Sequence, residues 1–285
     1  MRLFLKITLI LAISLNMASC STIVSSATNK MAINLANAIT NNDDLATVKA
    51  GAPAYLLMLD SFIEGDPEDS NMQVAASKLY SAYAGVFVKD EQRAKRLTQK
   101  SLDFALSANC LIKDSRCHLK GMDFKKFEII IEKFEKKHIK YLFALGSSWA
   151  GWIQSRRDDW NAAADLARVT KIMDHALKLD EKYENGQIHL YLGVLNTLLP
   201  PALGGKPEVG KNHFEKAIEI SEGKNLMAKV LYAEKYARLI FNQELHDKLL
   251  NQVIKAEPRL PGFTLTNMLA QKQAKLLLDD GADYF

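Results

Sequence analysis

Met173-Asp-His-Ala176-Leu-Lys-Leu-Asp180, Phe214-Glu-Lys-Ala217-Ile-Glu-Ile-Ser221 and Leu250-Asn-Gln-Val253-Ile-Lys-Ala-Glu257-Pro258 repeat one pattern. Each opens on a large apolar residue, places a smaller one three positions on, and stops on a polar residue or a proline. A three-residue step keeps both apolar residues on one helical face, and a small second residue lets a neighbouring helix approach. The stop then ends the helix. The offsets from Ala176 to Ala217 and from Ala217 to Val253 are 41 and 36 residues, the length of a recurring helix pair.

This is the second-helix signature of a tetratricopeptide repeat, in degenerate form, since no copy carries the full motif. The longer offset exceeds the ordinary repeat by roughly the length of Pro200-Pro201-Ala-Leu-Gly204-Gly205-Lys206, which reads as a loop inside a hairpin. Upstream, residues 75–83 and 94–105 form a looser pair, and residues 141–153 supply the first helix ahead of Met173. The expectation is all-α: a right-handed tetratricopeptide-like superhelix of about four helix hairpins, closed by a helix over 266–278, as one domain spanning 20–285.

Local signals agree. Phe124, Phe127, Ile131, Phe134, His138 and Tyr141 track one face of a helix, while Lys125, Lys126, Glu132, Lys133, Lys136 and Lys137 make a solvated one. Asp90 caps a helix running to about Ser107. Pro207 suits the first turn of a helix over 208–221, and Gly223 closes it.

The beginning of the chain reads as an export signal. Arg2 and Lys6 precede an apolar run over residues 7–15, which is too short to span a bilayer and ends in Met17-Ala18-Ser19-Cys20. That ending resembles the lipobox of bacterial lipoproteins, although those usually carry Leu where Met17 stands. The resemblance implies a signal peptide over 1–19, acylation of Cys20 and, from Ser21, sorting to the outer membrane, with the chain facing the periplasm. An ordinary cleaved signal is the alternative. In an oxidising compartment Cys110 and Cys117 can pair, pinning a helix connection; two free buried thiols are the other reading.

Charge excludes one class of partner. Of 37 Lys+Arg against 33 Asp+Glu, two cations fall in the signal, which leaves 35 − 33 = +2 with the signs interspersed. Such a chain lacks the basic stripe that nucleic acids require. With 48% hydrophobic residues and only 7 Pro, it has ample material for a core.

Catalytic chemistry finds no purchase. His118, His138, His175, His189, His213 and His246 form no zinc motif, and Gly204-Gly205-Lys206 is too short for a phosphate loop. No catalytic residue, metal or cofactor is expected. A helical cell-wall hydrolase would need a glutamate in an apolar cleft, and Glu64 and Glu128 are the residues with apolar neighbours. Trp149 and Trp152 lie a helical step apart, and Tyr191, Tyr232 and Tyr236 recur in first-helix positions. They are candidate ligand- or partner-binding residues, with inter-repeat packing as the alternative reading.

Several stretches together resemble one family: Ser147-Ser-Trp-Ala-Gly-Trp-Ile153, Pro201-Ala-Leu-Gly-Gly-Lys206, Lys224-Asn-Leu-Met-Ala-Lys-Val-Leu-Tyr-Ala-Glu-Lys-Tyr236 and Pro261-Gly-Phe-Thr-Leu-Thr-Asn-Met-Leu-Ala-Gln-Lys-Gln273. With similar stretches over 51–65 and 76–88, they resemble TatT, the tetratricopeptide-repeat lipoproteins associated with TRAP (tripartite ATP-independent periplasmic) transporters. The resemblance covers residues 21–285. It implies a non-enzymatic accessory that docks the extracytoplasmic solute-binding receptor, handles an apolar solute and self-assembles into a ring such as a trimer. An envelope-biogenesis or outer-membrane-assembly scaffold is the alternative.

Overall fold

The computed structural model describes residues 30, 31 and 33–285; the signal segment and Cys20 lie outside the described residues. Residues 33–40 are helical, and 39–285 form one compact unit. That unit is all-α.

Helix starts follow the acids. Asp44 caps α1 (Leu45–Gly65), Asp69 caps α2 (Ser70–Phe87) and Asp90 caps α3 (Glu91–Ile112), each carboxylate accepting from a backbone N–H of the first turn. Asp123 does the same for α4 (Phe124–Ile131) and Asp159 for α6 (Trp160–Ala164). Between them runs α5 (Ile139–Gln154), and α7 (Leu166–Leu179) follows. The second half comprises α8 (Gln187–Asn196), α9 (Pro207–Ile220), α10 (Leu226–Leu231), α11 (Gln243–Lys255) and α12 (Thr264–Asp279). Past Leu231, α10 continues as a widened π turn over Tyr232–Ala237. A short α13 (Gly281–Tyr284) ends the chain.

Packing proceeds in chain order, as hairpins α2/α3, α5/α7, α8/α9 and α10/α11, with α1 and α12 at the ends. The residues that open and follow each repeated pattern are core: Met173, Ala176, Phe214, Leu250 and Val253 are wholly buried and Ala217 nearly so. Ala176 joins Leu142, Trp149 and Ile172 in one apolar cluster; Phe214, Ala217, Leu250 and Val253 belong to a second. Small residues set the closest crossings. Ser101 Oγ donates to the Ser77 carbonyl (2.7 Å) and shares a hydrogen bond with Ser148 Oγ (2.8 Å), tying α2, α3 and α5 together. A Cβ on Gly193 of α8 would lie 2.6 Å from the Phe214 ring of α9.

The loop inside the α8/α9 hairpin is a single 3-10 turn, Pro201–Leu203, ended by Gly204 at φ 91. At Gly205 a Cβ would stand 1.6 Å from the Leu199 carbonyl oxygen, so only glycine fits there.

Two expectations are corrected. The face over Phe124 to Tyr141 is not one helix: α4 ends at Ile131, where the Lys133 and Phe134 amides bond three residues back to Ile130 and Ile131. A 3-10 turn over Lys136–His138 restarts the chain into α5. Phe127, Ile131 and Phe134 are nonetheless buried and the lysines exposed, because the tightened turn preserves the apolar phase. The helix capped by Asp90 extends to Ile112, beyond Ser107. Elsewhere α1 carries Pro53 in its interior, and a short helix begins at Trp160.

The ends of the unit meet. The Arg259 guanidinium Nε lies 2.9 Å from Asp43 Oδ2, and the Gly262 N–H donates to Asn41 Oδ1 at 2.7 Å. Leu45 of α1 faces Met268, Gln271, Lys272, Lys275 and Leu276 of α12 across a cavity of about 370 Å³. Among the described residues no helix is long and apolar enough to cross a membrane.

Candidate functional site

Trp149, Trp152 and Trp160 occupy different environments. Trp149 is fully buried in the α3–α5–α7 core, edge-on to Phe127 with ring centres 6.0 Å apart, and its Nε1–H donates to Asp165 at 3.0 Å. Trp152, three residues on, lies at the α3 boundary, where its Nε1–H donates to Gln99 Oε1 at 2.6 Å. Lys120 Nζ and the Arg156 guanidinium sit 3.9 Å and 4.6 Å from its ring centre. The two indoles therefore do not form one grip. Trp160 opens α6 and is 89% exposed.

Tyr191 belongs to a cluster formed by α5, α8 and the Tyr183–Gly186 turn that precedes α8. Phe143 of α5 packs edge-on against Tyr191 (5.7 Å) and tilted against Tyr183 (5.3 Å). Lys78 of α2 reaches over Phe143 and Tyr183, at 5.5 Å and 5.8 Å, and pairs with Glu184. Glu184 and Asn185 are left-handed (φ 45 and 57) and Gly186 follows at φ 84. That conformation is costly for a glutamate, and the carboxylate it carries meets a lysine from another hairpin. Burial pushes the Tyr191 phenol up to about 12 and raises Tyr183, which Glu184 raises further.

Tyr232 and Tyr236 lie in the π turn, with ring centres 5.4 Å apart. Their hydroxyls donate to Glu215 (2.9 Å) and Glu208 (2.7 Å) of α9. Both phenols are raised by burial and then by those carboxylates, Tyr236 to about 12. The rings are buried and the π turn carries them against α9. What sequence spacing alone hides is the carboxylate partner of each.

Cys110 and Cys117 form a disulfide at the end of α3. Inside the loop it closes, Arg116 is 2% exposed and its guanidinium stacks 3.7 Å from the Phe134 ring centre. His189 and His213 meet through their Nδ1 atoms at 2.8 Å. Burial, then the charge of His189, holds His213 down at about 4. Glu64 is exposed, and Glu128 pairs with Lys171 at 3.3 Å. No group of three or more metal-ligating side chains occurs among the described residues.

A relative over 265 residues, covering 86% of this chain and 82% of its own length at 21% identity, is an uncharacterised protein of Treponema pallidum (strain Nichols). The family model for the TRAP transporter T-component matches residues 41–285, which is the helical unit described above almost from end to end. The chain belongs to the TAtT family, the T-component of TRAP transporters.

Proposed function

We propose that this chain is a lipid-anchored accessory of a TRAP transporter, held in the outer membrane through Cys20 and facing the periplasm, where it docks the extracytoplasmic solute-binding receptor. The carrying observation is the family match over 41–285. Consecutive helix hairpins suit this role, because a tetratricopeptide-like superhelix presents a long surface whose side chains vary without disturbing the stacked core. Ion-driven transport belongs to separate membrane subunits. Handling of an apolar solute and self-association into a ring such as a trimer belong to the same reading, and a ring would multiply the surface offered to the receptor.

The test is a pull-down of the soluble chain, residues 21–285, from an envelope extract, read by mass spectrometry and light scattering. A periplasmic solute-binding receptor in fixed stoichiometry is the expected product. Recovery of barrel-assembly proteins alone would overturn the reading.

A further inference from the structure

The cationic groove beside Trp152 is not explained by the packing of the fold. It runs along three turns of α3, lined by Gln92, Lys95, Arg96, Gln99, Lys100 and Asp103, with Arg156 on its other wall and a volume of about 330 Å³. From Gln92 to Asp103 the helix rises about 16 Å, the length of a short extended segment.

Part of its charge is internally compensated. Lys100 pairs with Asp60 at 2.6 Å and Lys95 with Glu91. The Arg156 guanidinium is fixed by the Lys95 carbonyl at 2.9 Å and Ser155 Oγ at 3.0 Å, so it is oriented without a carboxylate. Arg96 and Lys120 form no ion pair among the described residues. Lys120 is brought over Trp152 by the segment that follows the disulfide loop, and burial there lowers its pKa. An incoming carboxylate offsets that desolvation by bringing the opposite charge to close range.

We propose that this groove is the surface on which the chain receives an acidic segment of its solute-binding receptor, with Arg96 in the groove and Lys120, stacked on the neighbouring Trp152 beside Arg156, meeting carboxylates. The proposal rests on the docking reading given above. An extended peptide segment fits better than a small anion, because the groove is open and its lining runs along α3 from Gln92 to Asp103. Charges placed this way act chiefly on association rate and salt dependence.

The test compares binding of purified receptor to the native soluble chain, to R96E/K120E and to K125E/K126E, by calorimetry at low and physiological salt. Lys125 and Lys126 are exposed on α4, so the second variant carries an equal charge change elsewhere. Thermal melting of each variant confirms that it is folded, and R96K/K120R keeps the charges. R96E/K120E is expected to weaken binding about tenfold or more and to flatten its salt dependence, while K125E/K126E and R96K/K120R stay within about twofold of native. Native-like binding by R96E/K120E overturns the groove and leaves docking to another face. No binding by the native chain overturns docking itself, and this inference with it.

Discussion

Trp149 and Trp160 show how little a residue type says without its surroundings. Replacing Trp149 by Ala removes a wholly buried indole and the donor that Asp165 accepts, and is expected to cost about 3–5 kcal/mol in urea unfolding. Trp160→Ala, at a side chain that solvent already covers, should change stability by no more than about 0.5 kcal/mol. Equal losses for the two would contradict the burial described.

The histidine pair carries a pH dependence of definite sign. A hydrogen bond between two Nδ1 atoms needs one of them to be an unprotonated acceptor, and His213 in the folded chain resists its proton until about pH 4. In the unfolded chain a histidine binds its proton near pH 6.5. Between these values the unfolded state holds more protons, so stability is intact above the window and is lost as pH falls through it. Glu181, 3.4 Å from His189 Nε2, opposes this trend, while Lys216 reinforces it. His213→Asn should show a smaller fall in melting temperature between neutral and mildly acidic buffer than the native chain. Parallel curves would refute the assignment.

At the scale of elements, the α8/α9 crossing is the clearest case of a contact that depends on a missing atom. Gly→Ala inside a helix ordinarily stabilises by about 1 kcal/mol. At Gly193 the added Cβ meets the buried Phe214 ring, so Gly193→Ala should instead destabilise by about 1–3 kcal/mol in chemical denaturation. A stabilised variant would mean the two helices are not so close.

The large and small residues of the repeated pattern were legible in the sequence because they act through a local step of three positions, whatever the rest of the chain does. Pro53 inside α1 was not, since a helix held by packing tolerates a lost backbone bond that propensity counts against it. Nor was the break between Ile131 and Ile139, because a 3-10 turn keeps apolar residues in phase and leaves the periodicity almost unmarked. The groove was hidden for a different reason. Trp152 was visible as a candidate, but Lys120 reaches it only once the disulfide-closed loop has folded back beside α5.

On the scale of the whole molecule, the described unit brings its two ends together through Asn41, Asp43, Arg259 and Gly262. Its helices stack in order with no separate catalytic domain among the described residues, and what varies along the stack is surface: an exposed Trp160, a cationic groove at α3, and an aromatic cluster crossed by Lys78. Such a body suits holding another protein, the role proposed for it within the family to which it belongs.

Sedimentation velocity on an equimolar mixture of the purified soluble chain and its TRAP solute-binding receptor, at micromolar concentrations, tests that role most directly. A new, faster boundary containing both chains in fixed ratio is the expected result. Two boundaries, each moving as its protein does alone, would contradict it.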